Sequence, residues 1–266
     1  MSNDLLTAVD GAVARITFNR PEARNAVNQE MLVEMQRFLQ GIEHDPRVRC
    51  IVMAGAGEHF MAGGDVMGFK ETFAKPSHER RAEFEARIGS VAPLFQQIAR
   101  MPQPIVARVQ GAVAGAAVGF VAGSDFAICS QNAIFIVAHV NIGASPDGST
   151  SYYLPRAVGV RKAKELAMLG ERLGALDALE FGLVNRVVPD AELDAAVAAL
   201  VDKIVAAPAT SVRRIKQLID RSLGNTLDAQ LQLEAESFAE CAGTDDFVEG
   251  VTAFAQKRKP VFNRGC

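Results

Sequence analysis

Apolar residues recur along this chain with two periods, one suited to strands and one to helices. Val13 to Phe18 reads as a strand, closed by the proline-containing polar break Asn19-Arg20-Pro21-Glu22. Met31, Leu32, Met35, Phe38, Leu39 and Ile42 then fall at helical spacing behind a cap region at Asn28, so a helix is predicted there. Cys50 to Ala54 is the next short strand and runs into Gly55, Gly57, Gly63 and Gly64. Phe84, Ile88, Val91, Phe95 and Ile98 form one helical stripe, ended by Met101-Pro102-Gln103-Pro104 before the apolar strand Ile105 to Val109. Ala127 to Cys129, Ala133 to Val137 and Leu183 to Val188 read as later strands, with a helix through Tyr152 and Leu154. Such alternation indicates an α/β core.

From Pro189 onward only the helical period remains. Leu193 to Ala206, Ala209 to Leu223, Leu227 to Cys241 and Phe247 to Lys257 are separated by Pro208, Gly224-Asn225 and Gly243-Thr244-Asp245. The chain therefore divides into a core over residues 1–189 and a helical region over residues 190–266. The apolar stripes of that tail fit a separate subdomain or the cover of a neighbouring subunit, and the pattern leaves both open.

Composition narrows the function classes. With 266 residues, 49% apolar and 22% charged, the chain can bury a sizeable core. A net charge of -3, a pI near 5.9 and no dense Lys/Arg run argue against a nucleic-acid partner. Cys50, Cys129, Cys241 and Cys266 lack C-x-x-C spacing, so neither a disulfide framework nor a zinc site is suggested and a reducing compartment fits. Met1 to Asp10 lack the basic start and apolar run of a signal peptide, and no uninterrupted apolar stretch reaches membrane-spanning length. The expectation is a cytoplasmic chain with no membrane partner.

Two glycine-rich segments stand out. Glu58-His59-Phe60-Met61-Ala62-Gly63-Gly64-Asp65-Val66 leaves a strand and leads through small residues into a helix, allowing a ligand close to the backbone. Val109-Gln110-Gly111-Ala112-Val113-Ala114-Gly115-Ala116-Ala117-Val118-Gly119 passes from a strand into a helix start, where free N–H groups can bind an anion or oxyanion. Taken singly, the first also fits an ordinary turn and the second close helix packing.

In order, spacing and surrounding words, these segments resemble the enoyl-CoA hydratase/isomerase, or crotonase, family. The resemblance runs from Ile16-Thr17-Phe18-Asn19-Arg20-Pro21-Glu22-Ala23-Arg24-Asn25-Ala26 to Gln256-Lys257-Arg258-Lys259-Pro260-Val261-Phe262, nearly the whole chain. It implies an α/β spiral of ββα units with a C-terminal helical region that forms a homotrimer or a dimer of trimers. It implies an acyl-CoA substrate, with coenzyme A arriving as part of that substrate and neither a separate cofactor nor a metal. The oxyanion donors carry over to the N–H groups of Gly64 and Ala116, the latter where glycine is usual. Losing one such donor typically costs about 2.7 to 4 kcal/mol of transition-state stabilisation. Arg24, Ala26, Ala62, Asp65 and Val66 carry over as walls for the coenzyme's pantetheine and adenine, and Lys257 as a phosphate contact.

The family's hydratases use two glutamates, but Gly119 and His139 occupy those positions here. A different carboxylate lies in Asn141-Ile142-Gly143-Ala144-Ser145-Pro146-Asp147-Gly148-Ser149-Thr150. Asp147 matches the acidic residue that shuttles the proton in the family's double-bond isomerases, where no water takes part. By itself Pro-Asp-Gly is also a turn ahead of a helix, in which the aspartate only caps. His139 reads either as a buried hydrogen-bonded residue or as a proton relay. Isomerisation with Asp147 as shuttle is thus favoured over a weak hydratase, over a dehalogenase-type enzyme with Asp147 as nucleophile, and over a non-catalytic acyl-CoA binder. The scarcity of aromatics near the Asp147 segment ranks displacement on an aromatic acyl group lower.

Overall fold

The computed structural model describes residues 3–263, so Met1 and Cys266 lie outside the described residues. Strand β1 (Leu5–Asp10) pairs antiparallel with β2 (Val13–Phe18), and a short 3-10 turn leads to α1 (Gln29–Ile42). Asn28 caps α1 by accepting the Met31 N–H at 2.9 Å, a bond whose loss typically costs about 1 kcal/mol. Met31, Met35, Leu39 and Ile42 form its buried face. β3 (Cys50–Gly55) follows, then a 3-10 segment over Val66–Thr72, α2 (Ser77–Gly89) and α3 (Ala92–Arg100).

The remaining core consists of β4 (Ile105–Val109), β5 (Ala112–Ala114), α4 (Ala116–Ala122), β6 (Phe126–Ser130), β7 (Ile134–Ile136), α5 (Thr150–Val158), α6 (Val160–Leu169), β8 (Arg172–Gly174), α7 (Ala175–Glu180) and β9 (Arg186–Val188). One sheet has the order β1-β2-β3-β4-β6-β9, parallel from β2 onward; the other has the order β5-β7-β8. β4 and β6 belong to the larger sheet, and each is followed by a strand of the smaller sheet, β5 or β7, and then by helix. The chain therefore climbs as a spiral of ββα units, as the resemblance implies.

Several sequence expectations need correction. The stripe from Phe84 to Ile98 is two helices, because Pro93 in the first turn of α3 has no N–H to continue the preceding ladder. The last strand spans only Arg186–Val188, while Leu183 and Val184 are buried in the turn before it. The small residues after Met61 lead into a 3-10 segment rather than an α-helix.

The tail consists of α8 (Leu193–Ala206), α9 (Ala209–Ser222), α10 (Leu227–Ala242) and α11 (Asp245–Ala255). A division at residue 189 cuts through the core, because Leu193, Val197, Val201 and Ile204 of α8 pack against Cys50, Val52, Val106 and Ile128 of the sheet. Each such buried aliphatic side chain contributes roughly 1.5–3 kcal/mol. α9 to α11 instead keep large apolar side chains exposed, among them Ile215, Ile219, Phe238 and Phe254.

Candidate functional site

Two glycine segments come together through backbone pairing. Val27 N–H donates to the Gly63 carbonyl (2.8 Å) and Asp65 N–H to the Val27 carbonyl (3.0 Å), forming an isolated parallel bridge between Val27 and Gly64. Successive residues of an extended segment face opposite sides. With residues 63 and 65 turned toward Val27, the N–H of Gly64 points the other way.

On the second segment, Gly115 N–H donates to the Ile136 carbonyl at 2.9 Å, and the next amide, Ala116, opens α4. A helix start leaves such amides without an intrahelical acceptor. Among the described residues, the N–H groups of Gly64 and Ala116 donate to no protein acceptor. Gly63 and Gly115 adopt φ of 86° and 57°, and a Cβ on Gly63 would lie 2.8 Å from the Ala114 carbonyl oxygen and 3.5 Å from the Ala116 nitrogen. Only glycine permits both the left-handed backbone and this close approach.

Gly64 and Ala116 line one cavity of about 700 Å³ together with Ala62, Val66, His139 and Asp147. Asp147 precedes α5 in a tight turn, in which its carbonyl accepts the Thr150 N–H at 3.0 Å. Its side chain is one-third exposed, and Oδ1 lies 2.9 Å from Nε2 of His139, a side chain only 8% exposed. Among the described residues, Nδ1 of His139 is buried without a partner. The structure thus joins Asp147 to His139 as well as to the two free amides.

Gly119 has no room for the side chain that a hydratase needs there. A Cβ at this position would overlap the Gly148 carbonyl oxygen and sit 2.8 Å from both the nitrogen and Oγ1 of Thr150. The main chain of the Asp147 turn fills the space a glutamate would occupy.

Other predicted residues stand elsewhere. Asp65 borders a smaller adjoining recess of about 70 Å³, but its carboxylate accepts from Arg20 at 3.1 Å and from the Met67 N–H at 3.3 Å. Arg24, Ala26 and Lys257 do not line the cavity. Arg24 has φ of 51° and contributes its carbonyl, which accepts the Ala62 N–H at 2.9 Å; the Ala26 carbonyl accepts from Arg20 at 2.8 Å. These two residues shape the Gly64 strand from behind, and Lys257 follows the end of α11.

Sequence reasoning missed Arg20, whose guanidinium ties Asp65 to Ala26, and an aromatic part of the cavity lining. Phe69, Phe73 and Phe84 line the cavity with Ile88, Arg80 and Arg81. Phe69 and Phe84 meet edge to face at 4.9 Å, and Arg87 lies 4.9 Å from the Phe69 ring centroid. The expectation of few aromatics near Asp147 is therefore overturned, because residues some sixty to eighty positions upstream supply them. Phe84 offered the only signal, as part of the helical stripe.

The family model described as enoyl-CoA hydratase/isomerase matches residues 8–265. The 1,2-epoxyphenylacetyl-CoA isomerase of Escherichia coli (strain K12) is 34% identical over 262 residues, 98% of this chain and 99% of that protein. The short-chain-enoyl-CoA hydratase of Clostridium acetobutylicum is 34% identical over 260 residues, 97% of this chain and 96% of that protein. Among solved structures, a putative enoyl-CoA hydratase/isomerase from Mycobacterium abscessus superposes with a TM-score of 0.90 at 29% identity, covering 97% of this chain and 99% of that one.

Proposed function

The chain belongs to the enoyl-CoA hydratase/isomerase family, and from that premise we propose that it is an acyl-CoA isomerase in which Asp147 moves a proton between carbons of an enolised thioester. Asp147 takes the proton from C2 of a 3-enoyl-CoA. The C–H electron pair delocalises into a dienolate, whose oxygen is held by the N–H groups of Gly64 and Ala116. The carboxyl group then returns the proton at C4, giving the 2-enoyl thioester. No water is consumed, and the amides stabilise charge only as it develops.

One observation carries this reading: a carboxylate and two unpartnered amides line the same cavity, while the backbone of the carboxylate's own turn leaves no room for a side chain at Gly119. The relatives carry both isomerase and hydratase names, so the choice rests on those residues. The test is a panel of acyl-CoA thioesters assayed with the wild type and Asp147→Asn. Consumption of 3-enoyl-CoA, inertness toward crotonyl-CoA and loss of turnover in Asp147→Asn are expected. Hydration of crotonyl-CoA that survives Asp147→Asn at full rate overturns the assignment.

The Phe69, Phe73 and Phe84 wall favours a second reading, in which the acyl group is aromatic. Asp147 then either moves a proton or attacks the ring as a nucleophile. A covalent Asp147 ester trapped by mass spectrometry would select attack. For assembly, the exposed apolar side chains of α9 to α11 support a homotrimer or a dimer of trimers.

A further inference from the structure

The turn that carries Asp147 is fixed at its main chain. Thr150 N–H closes it on the Asp147 carbonyl at 3.0 Å. Gly148, at φ 56°, packs so tightly that a Cβ there would lie 2.6 Å from the Cβ of Ala116, the residue bearing one free amide. Among the described residues, the carboxylate itself is held by one side chain, His139.

Nε2 of His139 lies 2.9 Å from Asp147 Oδ1 and 3.4 Å from the Asp147 main-chain nitrogen. A ring nitrogen cannot donate to the carboxylate and accept from the amide at once. The shorter contact is charge-assisted and dominates, so Nε2 carries the hydrogen and donates to Oδ1. Nδ1 is buried without a partner, which offers a proton there no acceptor. Gly115 sits beside the ring, where a Cβ would be in ordinary contact with Nε2 at 3.9 Å. The His139 backbone is held in turn by the Ala144 N–H, which donates to its carbonyl at 2.9 Å.

We infer that His139 is a positioning residue for the isomerisation, holding Oδ1 through Nε2–H so that Oδ2 is the oxygen that takes and returns the substrate proton. Oδ2 makes no hydrogen bond among the described residues. The inference rests on the isomerase reading. In its balance, the C2 proton passes to Oδ2 while the C–H electron pair enters the enolate, and the same proton leaves Oδ2 for C4; His139 keeps its own throughout. A glutamate at position 139 would set a second carboxylate against Asp147 and be opposed by like charge.

Three variants and one spectrum test this. His139→Leu should lower kcat on a 3-enoyl-CoA on the order of 10²-fold, the scale of a misdirected reacting group, with KM within about twofold. His139→Gln, which can still donate to Oδ1, should recover most of that loss, and Asp147→Asn should remain inactive. Nitrogen-15 NMR of the wild-type imidazole should show a protonated Nε2 and a bare Nδ1. Wild-type kcat in His139→Leu, an equal fall in His139→Gln, or a proton on Nδ1 alone overturns the inference. Should His139→Leu fail to fold, His139→Gln and the spectrum still decide. A wild type inert toward 3-enoyl-CoA sinks the isomerase reading instead, and the spectrum then reports separately whether Nε2–H holds Asp147.

Discussion

Replacing Gly119 by alanine adds one methyl group beneath the Asp147 turn, and its consequence follows from the packing. The new Cβ would overlap the Gly148 carbonyl oxygen and approach Thr150 N and Oγ1 to 2.8 Å. Relief requires the 148–150 backbone to withdraw by roughly 1 Å, since ordinary contacts lie beyond 3 Å. Asp147 precedes that backbone directly, so its carboxylate moves relative to the Gly64 and Ala116 amides. A displacement of about 1 Å can cost about 10²-fold in rate, or roughly 2.7 kcal/mol of barrier, and overpacking of this kind destabilises by about 1–3 kcal/mol. The assay is turnover of a 3-enoyl-CoA beside thermal unfolding of the same preparations. The expected outcome is a kcat lowered about 10²-fold with a modest fall in Tm. Wild-type kcat with an unchanged Tm would refute the claim that the turn fills this space. Appearance of crotonyl-CoA hydration in Gly119→Glu would do so as well.

Three further outcomes are expected. Arg20→Ala removes the guanidinium joining Asp65 to the Ala26 carbonyl, so kcat should fall with little change in KM as the Gly64 amide loses its fixed direction; a change confined to KM would show that Arg20 acts on binding instead. Burial pushes the thiols of Cys50 and Cys129 up to about 12, against 9.0 in the ordinary state. The unfolded chain therefore holds fewer protons above about pH 9, and stability should fall as pH rises from there toward 12, by up to about 1.4 kcal/mol per pH unit per thiol, with no such loss below pH 9. Denaturant midpoints of the wild type and Cys129→Ala across that range check it, and an unaltered slope in the variant counts against it. If the proposed trimer packs through α11, Phe254→Asp, at a side chain 87% exposed on that helix, should shift the protein toward smaller species in analytical ultracentrifugation, and an unchanged sedimentation profile would count against α11 as a subunit contact.

What the sequence revealed depended on how strongly each element announces itself locally. α1 and α8 were legible because their apolar stripes face the core and their ends carry clear caps or prolines. β5 and β8 were not, since three-residue strands such as Ala112–Ala114 and Arg172–Gly174 are too short to display a period of two. The amide pair at Gly64 and Ala116 was legible through the resemblance, because glycines with positive φ leave a residue-type signature. The phenylalanine wall showed only through Phe84, which shares an apolar helical stripe with Ile88. α2 buries none of its residues against the protein, so that stripe reads as core packing although Phe84 and Ile88 line the cavity. Arg20 was hidden for a related reason: a proline-containing break reads the same whether its arginine is solvated or, as here, bonded to a carboxylate on a distant segment.

The positions 119, 139 and 147 are therefore one decision rather than three. A side chain at 119 and the observed turn at 147–150 exclude each other sterically, because the Gly148 carbonyl stands where the Cβ would be. A carboxylate at 139 beside the carboxylate at 147 would be opposed by like charge, because the distance now bridged by the 2.9 Å His139–Asp147 hydrogen bond would separate two ionised groups. Restoring either hydratase glutamate alone therefore collides with the aspartate's turn or with its charge. On the proposed isomerase reading, the backbone of residues 147–150 separates adding water from moving a proton as much as any side chain does, and a glutamate at 119 requires that turn to be rebuilt.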